Sequence, residues 1–116
     1  TTLVLVHGFS GCLETWNAVT PYFSSSNYRV VALDLVGSGF SEKPVDGSFE
    51  YTFRNQGRVV AEFIQVMDLQ NVVLVGHSAG AIVVVAAAND ETRGIFLVAP
   101  GFFQTKPALF SYNNPV

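Results

Sequence analysis

Two periodicities of apolar and polar residues run along this chain. Four short stretches are apolar with no polar alternation: Leu3 to Val6, Val30 to Leu33, Val72 to Val75 and Ile95 to Val98. Unbroken runs of this length, rich in β-branched residues, predict strands buried on both faces. The stretches between them follow a helical spacing instead. Leu13, Trp16 and Val19 recur at such intervals until Pro21 breaks or restarts the helix before Tyr22 and Phe23. Thr52 is placed as an N-cap ahead of a long amphipathic helix whose apolar face is Phe53, Gly57, Val60, Ile64 and Met67. Ala79 to Ala88 is apolar all round, which predicts a buried helix. Polar clusters separate these elements at Ser24 to Asn27, Glu42 to Glu50 and Asn89 to Thr92.

Strands alternating with helices predict an α/β fold: a doubly wound parallel sheet of about four strands joined by right-handed crossovers. The Leu3 strand is expected between the Val30 strand and the Val72 strand. The winding then reverses beside it, and ligands of such sheets bind beyond the carboxyl ends of the strands at that reversal. Two loops meet there, His7 to Gly11 and His77 to Gly80.

The second of these loops carries the densest chemistry. Gly76-His77-Ser78-Ala79-Gly80 is a Gly-x-Ser-x-Gly pattern set between a buried strand and a buried helix. A turn this tight puts Ser78 at positive φ and lifts its hydroxyl to the end of the sheet. Gly76 and Gly80 are expected because a Cβ at either position would strike the neighbouring strand or helix. Ser78 is thus the candidate nucleophile, at a helix start whose N–H groups favour developing negative charge. An acyl-transfer site also needs oxyanion donors. The backbone N–H groups of Phe9 and Ala79 are the candidates, Gly8 leaving the first loop open.

A serine nucleophile needs a base, and the candidates are few. The chain has two histidines. His7 is read as bracing the first loop, and His77, adjacent to Ser78, as pointing away into the packing beside the sheet. No histidine follows Ser78, and Asp90 and Glu91 fall at the wrong end of the next helix. Asp34, ending the second strand near the site, is read as a turn-capping acid because nothing orients it as a triad member.

Composition narrows the class. At 116 residues, with 49% apolar and 13% charged, the chain is greasier than an ordinary small domain. Its longest apolar run is too short to cross a bilayer, so no membrane span is expected. A net charge of −3 with scattered acids and bases offers no nucleic-acid surface. The lone Cys12 cannot form an internal disulfide, which favours a cytoplasmic or other reducing compartment. No cofactor and no metal are expected.

Taken together, these motifs resemble the N-terminal half of the α/β-hydrolase fold family. His7-Gly8-Phe9 is similar to that family's oxyanion loop. Asp34 to Ser41 resembles its Asp-x-x-Gly-x-Gly-x-Ser loop, Gly76 to Gly80 its elbow, and Leu97-Val98-Ala99-Pro100 the strand that follows. The resemblance implies a serine hydrolase acting on a small ester-like or related acyl or C–C substrate. It also implies that the triad acid and histidine come from later strands, outside these 116 residues. The chain is therefore expected to be a truncated, stitched or remnant form of that core, a single domain over residues 1–116 whose residues 101–116 begin a cap or a tail. Two readings follow: a hydrolase whose remaining triad lies elsewhere, or a non-catalytic binding or scaffold remnant of the fold. The apolar edge strand Ile95 to Val98 predicts self-association.

Overall fold

The structure, a computed structural model, describes residues 1–101. It contains strands β1 (Thr2–Val6), β2 (Arg29–Leu33), β3 (Val72–His77) and β4 (Gly94–Val98), and helices α1 (Thr20–Ser24), α2 (Phe53–Val66) and α3 (Ala79–Ala87). The four strands form one parallel sheet in the order β2-β1-β3-β4. β1 lies between β2 and β3, with Val6 opposite Leu33 on one side and Gly76 on the other. The expected reversal of winding is therefore present, and both chemistry-bearing loops leave the sheet at its carboxyl end.

Because strand residues alternate between faces, an unbroken apolar strand feeds two cores at once. Val4, Val6, Val72 and Leu74 point to one face and pack with Val60 of α2 and Val83, Val84 and Ala87 of α3. Leu3, Leu5 and Val75 point to the other and pack with Trp16, with Phe23 beside them. Thr52 caps α2 as read, its Oγ1 accepting the Asn55 N–H at 3.1 Å.

Three details of the sequence reading are corrected. The Leu13–Val19 stretch is not a regular helix: a single 3-10 turn spans Leu13–Trp16, and α1 restarts at Thr20 with Pro21 in its first turn. Trp16 alone of the three spaced residues is buried, since a short irregular segment can turn only one large side chain to the sheet. In α2, Phe53 and Met67 stand 45% and 50% exposed. Fourteen helical residues reach about 21 Å, whereas a five-residue strand covers about 17 Å, so both ends of that apolar face overhang the sheet. β4 is the edge strand expected, but neither it nor β2 at the other edge is buried on both faces: Ile95 and Phe96 are exposed and no residue of β2 is fully buried, because each edge strand has a neighbour on one side only. The tail reading for 102–116 lies outside the described residues, and none of the described helices is long and apolar enough to cross a membrane.

Candidate active site

Ser78 sits between β3 and α3 at φ +54°, ψ −119°, a backbone region that side chains disfavour. Close packing leaves no other path. A Cβ on Gly80 would lie 2.4 Å from the carbonyl oxygens of both Val6 and His7, and one on Gly76 would lie 2.4 Å from the Gly80 carbonyl oxygen. Strand β1, strand β3 and the start of α3 thus meet backbone to backbone, and the strain at Ser78 is what that contact costs. The Ser78 N–H donates to the Val98 carbonyl at 3.0 Å and its carbonyl accepts from Ala81, so the turn is tied to β4 and to the helix. Its hydroxyl has no hydrogen-bond partner among the described residues. Ala79 opens α3, where an N–H has no intrahelical acceptor.

The first loop lies directly against this turn. A Cβ on Gly8 would stand 3.0 Å from the Ser78 Cβ and 3.1 Å from the His77 carbonyl oxygen. Gly8 to Gly11 form a turn closed by the Gly11 N–H on the Gly8 carbonyl at 3.1 Å, with Ser10 at φ +59°. Phe9, the proposed donor, occupies the second position of that turn.

The two histidines are held differently. His7 is 1% exposed; its Nε2 accepts the Leu35 N–H at 3.0 Å. The ring proton is therefore on Nδ1, which donates to the Gly8 carbonyl at 2.8 Å. His7 joins its own loop to the loop after β2 and has no lone pair left to act as a base. The His77 ring meets Trp16 edge to face, with centroids 6.5 Å apart and planes at 86°. Trp16 Nε1 is buried without a hydrogen-bond partner among the described residues.

Asp34 caps two loops at once. Its Oδ1 accepts the Leu13 N–H at 2.7 Å and its Oδ2 the Phe40 N–H at 3.0 Å. Burial pushes the carboxyl up, but these two N–H groups, with the charge of Lys43, outweigh it and hold the group below the ordinary aspartate value. Two partners of this region escaped the sequence reading. Gln56 of α2 pairs with the backbone of Val36 like a short strand, Nε2 donating at 2.8 Å and Oε1 accepting at 3.2 Å. A polar residue next to Gly57 on the inward stripe of α2 was the available signal. The other is Trp16 against His77, which only the folding of the chain brings together.

A second concavity lies at the opposite end of the sheet. It holds about 420 Å³ and is lined by Asp68, Asn71, Glu91 and Thr92, at the amino ends of β3 and β4. None of the candidate site residues borders it. Among the described residues, no group of histidine, cysteine or acidic side chains could hold a metal ion.

Comparison with known proteins agrees with the four-stranded α/β architecture. A family model described as the alpha/beta hydrolase fold matches residues 1–113. An uncharacterized hydrolase of Bacillus subtilis (strain 168), YugF, is 37% identical over 107 residues, covering 89% of this chain and 38% of that protein. The probable lysophospholipase BODYGUARD 4 of Arabidopsis thaliana is 30% identical over 106 residues, covering 87% of this chain and 25% of the relative. Among solved structures, a probable hydrolytic enzyme from Pseudomonas aeruginosa PAO1 superposes with a TM-score of 0.83 at 26% identity, over 93% of this chain and 35% of that one. The chain thus spans well under half the length of these proteins.

Proposed function

The chain belongs to the α/β hydrolase fold family, and we propose that it is the nucleophile-bearing part of a serine hydrolase acting on a carboxylic ester or a related acyl or C–C substrate. One observation carries this reading. Ser78 is held at φ +54° at the first turn of α3, its hydroxyl unpaired among the described residues, with the Gly8 backbone packed against it.

In the proposed reaction Ser78 Oγ attacks the substrate carbonyl carbon and its proton passes to a histidine from outside these 116 residues. The carbonyl oxygen gathers negative charge between the Phe9 and Ala79 N–H groups. Collapse of the tetrahedral intermediate expels the alcohol with that proton and leaves an acyl group on Ser78. Water then releases the acid and restores the hydroxyl. His7 takes no part in proton transfer, since both of its ring nitrogens are engaged with backbone groups.

That same commitment favours a second reading, a binding domain that keeps the crevice without turnover. Assaying a short-chain activated ester with the 116-residue chain and with the full-length protein containing it, each with and without Ser78→Ala, separates the two. The hydrolase reading expects turnover in the longer protein alone, abolished by the substitution; loss of a triad member costs several powers of ten in rate. Absence of Ser78-dependent turnover in the longer protein counts against the hydrolase reading.

A further inference from the structure

The loops after β1 and β2 grip one another reciprocally. His7, on the first loop, accepts the Leu35 N–H of the second; Asp34, on the second, accepts the Leu13 N–H of the first. The turn carrying Phe9 lies between these two ties, residues 8 to 11, and presses on Ser78 through Gly8. We propose that Asp34 is a positioning residue: its carboxylate, bonded to Leu13 and Phe40 at once, sets where the Phe9 N–H stands relative to Ser78 and Ala79. The inference rests on the serine-hydrolase reading and adds to it a residue that touches neither substrate nor nucleophile.

The geometry favours Asp34 for this role. The His7 tie fixes the turn at its entrance, where His7 is already tied to β1 by the strand itself. The Asp34 tie fixes its exit. Between them lie five residues, Gly8 to Cys12, including Ser10 at φ +59°. With its exit released, such a segment could shift its central peptide while His7 stayed in place. The anchor itself is well held. The Ser41 hydroxyl donates to the Asp34 carbonyl, Lys43 Nζ donates to the Gly39 and Ser41 carbonyls, and Gln56 holds Val36. Asp34 thereby passes the rigidity of the second loop to the first. An oxyanion donor displaced by about 1 Å loses much of its effect in the transition state while binding the ground state nearly as before.

The test uses the full-length protein, with active sites counted by exhaustive labelling with a fluorophosphonate and turnover measured on a p-nitrophenyl ester. Asp34→Ala is expected to lower kcat per labelled site by about tenfold to a hundredfold, with KM within about twofold of the parent. Asp34→Asn keeps one acceptor oxygen but turns an amide N–H2 toward the other backbone donor. It is expected to fall between the parent and Asp34→Ala, and it serves if the alanine variant does not fold. A purely structural role would reduce the number of labelled sites and leave kcat per site unchanged. A kcat per site within twofold of the parent in whichever variant folds would overturn the proposal. Labelling that survives Ser78→Ala would instead overturn the serine reading, so the two failures are distinct.

Discussion

Two turns meet at the carboxyl end of the sheet, and they are held in opposite ways. The Gly76–Gly80 turn is fixed by contact: backbone atoms of β1, β3 and α3 touch, and Ser78 is strained because nothing else fits. The loops at 7–13 and 34–43 are fixed by directed hydrogen bonds from His7, Asp34, Gln56 and Lys43 to main-chain groups. The first device is short in sequence and unforgiving. The second draws on residues from three separate segments, and each bond can be weakened alone.

The difference predicts a ranking. Gly80→Ala would put a methyl group within 2.4 Å of the carbonyl oxygens of Val6 and His7, at and just past the end of β1, which are backbone and cannot swing aside. The expected loss is about 3–4 kcal/mol, at the upper end for overpacking, and urea denaturation of the two forms measures it. A loss under about 1 kcal/mol would mean that β1 and α3 are free to separate, and that the turn is not fixed by contact.

Gln56→Ala removes one bonded support and leaves the Val36 N–H and carbonyl to find water. Here about 1–2 kcal/mol is expected, because Val36 is partly exposed and water replaces part of what is lost. Thermal unfolding reads the stability change, and amide exchange shows whether loosening is confined to residues 34–43. Exchange that quickens equally at Ser78 would show that the two devices are not independent.

The smallest effect expected has the opposite sign. Ser78→Gly relieves a residue held at φ +54°, ψ −119°, a region glycine enters freely. Part of that gain is offset by the greater chain entropy of glycine when unfolded, so about 1 kcal/mol of stabilisation is expected, visible as a raised melting temperature. An unchanged or lowered melting temperature would mean that the Ser78 backbone is not strained.

The same contrast explains what could be read from the chain. A turn held by contact is written locally. Gly76 and Gly80 flank Ser78 within five residues, and the apolar runs beside them name the strand and the helix, so the positive φ at Ser78 was legible without coordinates. The two central strands were legible for a similar reason: burial on both faces forbids polar residues along a strand, and the pattern carries that prohibition. Asp34 could be read as a capping acid from its place at a strand end, but the identity of the N–H groups it caps could not. Leu13 lies 21 residues from Asp34 and Val36 lies 20 from Gln56, distances at which neither periodicity nor turn chemistry carries information. Helical spacing also misled over Leu13–Val19, because a period states which side chains could share a face and not whether a face awaits them. Local sterics, and the exclusion of polar groups from a two-sided core, were decided by the sequence alone. The fixing of the His7 ring, and the reciprocal ties across the site, came only from tertiary structure, because a directed bond between distant segments exists only once packing has set both of its ends.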